Sequence, residues 1–107
     1  MNKININVFA VVTLVAVMLV HPASLRSQDA STLFKSKCAA CHGADGTGTS
    51  MGKKLGAHDF TSADIQKMSD AELADIITNG KNKMPKYASL SPEEVKGLVA
   101  FIRTLKK

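Results

Sequence analysis

The sequence predicts a small all-α domain of three to four helices wrapped around a bound group. The first observation behind this is length. The chain has 107 residues, and about 80 remain once an N-terminal export segment is set aside, which is one small domain. A domain of that size buries too little apolar surface to be stable without a disulfide, a metal or a large cofactor. The second is composition. Trp is absent, with one Tyr and four Phe, and the apolar content comes mostly from Ala, Leu, Ile, Val and Met, which suits helices better than sheets. The third is periodicity, since apolar residues recur at steps of three and four in several separate stretches.

The N-terminus reads as an address. Lys3 supplies a positive flank and Val8 to Val20 is an uncharged apolar run, the pattern of a signal peptide. The run falls short of the ~20 residues that span a bilayer. Small-residue sites follow at Ala23 to Ser27 and at Ala30, so residues 1–28 are expected to be removed and 29–107 to form the mature domain, periplasmic or otherwise exported, with an uncleaved N-terminal anchor counted from Ile4 as the less favoured alternative. The first cysteine is Cys38, so none lies near the run to accept a lipid. The formal charge of +5 includes Lys3 and Arg26, which leave with the signal. There is no long basic run and no aromatic interleaving, and this excludes nucleic-acid binding.

Within the mature chain, Ala30, Leu33, Phe34, Cys38 and Cys41 mark one face of a helix over 29–42. Residues 43–60, rich in Gly, Thr, Ser and Lys, read as a long loop, and wrapping a bound group is one reason for such a loop in a compact domain. Thr61 to Met68 has room for a short helix. Ser69 with Glu72 forms a capping box for the next, whose buried side is Leu73, Ile76 and Ile77 and whose stop is Asn79–Gly80. The last helix has the strongest signal: Ser91 at the N-cap, Pro92 at the first position and Glu94 closing the box. Val95, Leu98, Phe101, Ile102 and Leu105 follow at helical spacing, and Arg103, Lys106 and Lys107 suit its negative end. Gly97 is a departure inside that helix, where Gly costs about 1 kcal/mol against Ala.

The chemistry sits at residues 38–42, which read CAACH. Two thiols at i and i+3 with an adjacent histidine form the attachment pattern of c-type haem. A structural disulfide between Cys38 and Cys41 would close almost no loop and so restrict the unfolded chain very little. A thiol redox pair calls for a βαβ setting, whereas a helix precedes this motif. A zinc site would have to draw on Cys38, Cys41, His42 and His58, and the adjacent Cys41 and His42 would chelate awkwardly. His58 is most simply a solvated loop histidine. For a second axial ligand the mature chain offers Met51, Met68 and Met84. Met68, beside the cap at Ser69, reads as core filler. Met51 in the glycine loop stays open, as does Met84, which lies in an irregular cationic segment stiffened by Pro85.

From Asp29 to Lys107 the chain resembles the small monohaem cytochromes c of bacterial and photosynthetic electron-transfer chains. The stretches LFKSKCAACHGADGTG, GKNKMP and LSPEEVKGLVAFIRTLKK carry the resemblance. It implies a small cytochrome c fold with one haem c held by Cys38 and Cys41, His42 as proximal ligand and Met84 as distal ligand. It also implies crossing terminal helices, with Phe34 and Phe101 at the crossing. The implied function is that of a single-electron carrier between redox partners, not an enzyme, working as a monomer outside the membrane. Lys81, Lys83 and Lys86 flank Met84 and suit an acidic partner, although they equally suit solubility. Two other readings stay in view: a haem subunit docked to a larger oxidase or dehydrogenase, and an open-iron haem enzyme. No proline lies between His42 and Phe60 to accept the imidazole hydrogen bond seen in some relatives.

Overall fold

The computed structural model describes residues 29–107, and the export segment expected over 1–28 lies outside the described residues. Six helical segments follow one another: α1 Ala30–Lys37, α2 Ala39–His42, α3 Ser50–Lys54, α4 Ala63–Gln66, α5 Asp70–Asn79 and α6 Pro92–Thr104. Among the described residues the only strand-like pairing is a single antiparallel bridge between Lys81 and Met84. The expected helices are present, but their number differs from three to four for two reasons. The helix over 29–42 is broken at Cys38 into α1 and α2, and α3 lies inside the stretch 43–60 that reads as a loop. No helix among the described residues is long and apolar enough to cross a membrane.

The capping signals operate as the sequence implies. Ser69 and Ser91 each accept from the amide of the third helical residue, while Glu72 and Glu94 reach back to the cap amides, which satisfies donors that helix starts leave orphaned. The core is Leu33 and Phe34 of α1, Ile65 of α4, Leu73 and Ile77 of α5, and Val95, Leu98, Val99 and Ile102 of α6, with Phe60 from the segment before α4. Leu33, Phe34 and Leu98 are 1% exposed, and full burial of such side chains contributes about 1.5–3 kcal/mol each. Helix α6 packs on both α1 and α5. At the α1–α6 crossing the Phe34 and Phe101 rings lie 4.8 Å apart and tilted by 44°, an arrangement aromatic quadrupoles favour.

Gly97 faces Ala30 at this crossing, and a methyl group placed there would sit 3.5 Å from the Ala30 Cβ, an ordinary contact. Close approach therefore does not require the glycine, and the propensity penalty remains. Gly97→Ala is expected to stabilise the protein by about 1 kcal/mol, a rise of about 4–8 °C in thermal midpoint for a domain of this size. A fall in midpoint would show that the crossing needs the bare backbone.

Arg103 does more than complement a helix end. Its guanidinium donates to the Gln66 carbonyl at 3.0 Å, the Met68 carbonyl at 2.5 Å and Asp70 at 2.8 Å. Gln66 in turn donates to the carbonyls of Phe60 at 2.7 Å and Ile102 at 3.0 Å. The α4–α5 turn is thus clamped to α6 by side-chain donors on backbone carbonyls and on Asp70.

Candidate haem site

The CAACH turn is built by a helix break. Cys38 ends α1 with its amide on the Phe34 carbonyl at 2.8 Å, and its own carbonyl accepts from the His42 amide at 2.9 Å. Cys38, Cys41 and His42 are thereby delivered from one short stretch of backbone. Helix α3 buttresses that stretch from outside. Thr49 caps α3 by accepting from the Gly52 amide at 3.0 Å, and its hydroxyl donates to the Ala40 carbonyl at 2.8 Å. A Cβ on Gly52 would fall 1.8 Å from the Cys41 carbonyl oxygen, so only glycine lets α3 press this closely on the turn. Sequence reasoning missed α3, and the usable signal was Thr49 as an N-cap before Ser50–Lys54, obscured by a glycine that lowers helix propensity.

The distal segment comes from the α5–α6 connection. Lys81 and Met84 pair through backbone hydrogen bonds of 3.3 and 2.9 Å, closed by Asn82 at φ 53°, a left-handed conformation that Asn tolerates. A Cβ on Gly80 would lie 2.7 Å from the Met84 carbonyl oxygen, so the loop folds tightly back on the end of α5. Tyr87 then ties it down: its amide donates to the Ile77 carbonyl at 3.0 Å and its hydroxyl to the Lys37 carbonyl at 2.9 Å. That last bond joins the loop bearing Met84 to the end of the helix that precedes Cys38.

These elements enclose a cavity of about 490 Å³, within the range of cofactor sites. Cys38, Cys41, His42 and Met84 all line it, with apolar walls from Phe60, Ile65, Leu73, Ile76, Ile77 and Ile102. The structure therefore brings together all four residues named by the sequence. Of the other methionines, Met51 is 53% exposed and does not line the cavity, whereas Met68, partly buried against the core, lines it as Met84 does. His58 is exposed, as expected of a loop residue, and also reaches the cavity edge.

The donor chemistry fits a haem. Both cysteines are free thiols, and burial pushes the Cys38 thiol up to about 11 against a weaker opposing pull from Lys37. A thiol held protonated at neutral pH is a poor disulfide-exchange nucleophile, which argues against a redox dithiol. Burial lowers the His42 imidazole from its ordinary pKa, and the neighbouring His58 pushes the same way, leaving the neutral ring that metal ligation needs. Among the described residues no three His, Cys, Asp or Glu side chains converge as a closed zinc site would demand. The apolar walls, paired thiols and neutral imidazole together suit a large flat macrocycle with an iron at its centre.

Comparison with known proteins agrees with this reading. Residues 26–102 match the family model described as cytochrome c oxidase, cbb3-type, subunit III. A cytochrome c6 from Cyanidium caldarium is 28% identical over 102 residues, covering 92% of this chain and 90% of that protein. Among solved structures, the KustC0563 c-type cytochrome aligns with a TM-score of 0.69 at 40% identity, covering 75% of this chain and 100% of its own. A point variant of that protein aligns with a TM-score of 0.66, also at 40% identity, over 74% of this chain and 100% of its own. With an all-α fold closed around a haem-sized cavity and relatives matched over most of its length, the chain belongs to the cytochrome c family, as a small monohaem member that carries haem c.

Proposed function

We propose that this cytochrome is an exported single-electron carrier in which Cys38 and Cys41 anchor the haem and His42 and Met84 ligate its iron. The observation that carries the reading is the convergence of those four side chains on one apolar cavity. When bound, haem c supplies a one-electron iron couple whose potential rises with a methionine ligand and an apolar surround. Cys38 and Cys41, fixed on a single turn, hold the group covalently so that it stays through every redox cycle. Phe60, Ile65, Leu73, Ile77 and Ile102 exclude water from the centre. The bridged loop and Tyr87 hold Met84 in place whatever the oxidation state, so little of the protein has to rearrange. Residues 1–28 act as the export signal, and the mature domain works in the periplasm or an equivalent compartment.

An absorption spectrum of the exported protein in both oxidation states, with and without carbon monoxide, tests the ligand set. A six-coordinate ferrous form that ignores carbon monoxide supports the carrier, whereas rapid binding in the wild type points to the open-iron enzyme.

The partner meets the cavity mouth, where Lys37, Lys81 and Lys83 lie at the edge and Lys86 is exposed nearby. Exposed charge of this kind steers encounter with an acidic redox protein. Changing Lys81, Lys83 and Lys86 together to Gln is expected to slow reduction by such a partner about tenfold at low salt and to leave the spectrum unchanged. Stopped-flow rates that are indifferent to ionic strength in the wild type would remove the docking face.

The family model's description favours a second reading, that of a haem subunit docked on an oxidase. Size-exclusion of the native exported fraction separates the two, since a free carrier elutes at the size of the single chain and a subunit with its complex.

A further inference from the structure

The two ring nitrogens of His42 meet different surroundings. Nδ1 is buried without a hydrogen-bond partner, the only such side-chain nitrogen or oxygen among the described residues, while the ring lines the cavity. A ligating histidine almost always gives its second N–H to a carboxylate, a carbonyl or water, and a buried polar atom left unmatched is uncommon enough to need a reason. What the ring has instead is Phe60, stacked at a centroid distance of 4.3 Å with the planes 25° apart.

Phe60 is itself firmly held. Its amide donates to the Gly46 carbonyl at 2.8 Å, and its carbonyl accepts from Gln66 at 2.7 Å. Its ring lies 6.2 Å from that of Phe34, which packs on Phe101. An aromatic row therefore runs from the α1–α6 crossing to the imidazole.

We propose that Phe60 is the positioning residue of the proximal imidazole, its ring setting the plane of His42 and keeping water and other acceptors away from Nδ1. The inference rests on His42 being an iron ligand. With iron on Nε2, the Nδ1 proton has no acceptor, so the ring lacks the added basicity that a hydrogen-bonded partner confers. A weaker donor stabilises ferric iron less, and the midpoint potential stands higher than it would with an acceptor in place.

The test uses the haem-loaded protein and its Phe60→Leu and Phe60→Tyr variants. In Phe60→Leu the haem-methyl shift pattern of the ferric protein, which reports the imidazole plane, is expected to rearrange, and the midpoint potential to shift downward as water reaches Nδ1. Phe60→Tyr keeps the stack and should hold both at wild-type values. A role confined to the cavity wall would lower thermal stability and, through added solvent, the potential, but would leave the methyl-shift pattern in place, so a Phe60→Leu protein with wild-type methyl shifts overturns the proposal. The wild type provides a reading that needs no variant. In its ferrous NMR spectrum the Nδ1 proton of His42 is expected where an unbonded imidazole N–H resonates, and a strongly downfield, hydrogen-bonded proton also overturns the proposal. Ring-current-shifted carbon-bound protons of His42 in the same spectrum report ligation itself. Their absence fails the ligand assignment, whereas their presence beside a hydrogen-bonded Nδ1 fails only the role of Phe60.

Discussion

Met84→Ala is expected to open the sixth position of the iron, letting carbon monoxide bind the ferrous protein and lowering the midpoint potential. The drop should be on the order of 0.1–0.2 V, a modest part of the about 0.8 V that axial ligands command. The backbone around residue 84 is held independently of its side chain, by the pairing with Lys81, the fold-back on Gly80 and the two bonds of Tyr87. Truncation therefore removes a sulfur and leaves the wall standing. Met51→Ala should change neither property, because Met51 is exposed and outside the cavity. Met68→Ala should lower stability and leave coordination alone, since Met68 packs against the core. The methionine-to-iron absorption band reads all three variants. A Met84→Ala protein that keeps this band and still ignores carbon monoxide would shift the ligand role to Met68, the other methionine on the cavity wall.

Removing both thioether anchors, Cys38→Ser with Cys41→Ser, is expected to leave the haem-free chain without cooperative helical structure. The cavity of about 490 Å³ is walled by Phe60, Ile65, Leu73, Ile76, Ile77 and Ile102, and without the haem those side chains lose their packing partners on one side. That loss is large for a domain whose whole stability is about 5–15 kcal/mol and whose core, among the described residues, has ten buried apolar side chains. Far-ultraviolet circular dichroism through a thermal ramp checks the expectation. A sigmoidal unfolding transition in the haem-free double variant would show that the six helices stand without their cofactor.

The local signals in this chain were legible because each acts within a few residues. Capping boxes at Ser69 and Ser91, the proline at Pro92 and the glycine stop at Gly80 are satisfied by their own neighbours, and the structure has all of them in place. CAACH belongs to the same class, since one turn of backbone carries both thiols and the imidazole, and its chemistry follows from residue types at fixed spacing. The sequence by itself therefore determined the helical class and the cofactor, and it placed the attachment motif at residues 38–42. Where a feature depends on contacts between distant segments, the sequence was silent. Helix α3 exists because Gly52 allows a backbone to press on the Cys41 carbonyl, a contact that helix propensity argues against and only the packed chain rewards. Arg103 read as a helix-end charge until the α4–α5 turn brought three acceptors to it. Only the folded chain sets Met51 outside the cavity and brings both Met68 and Met84 to its wall, and the isolation of Nδ1 in His42 depends on what lies behind the ring. Both depend on long-range closure of the chain, and no local periodicity encodes that closure.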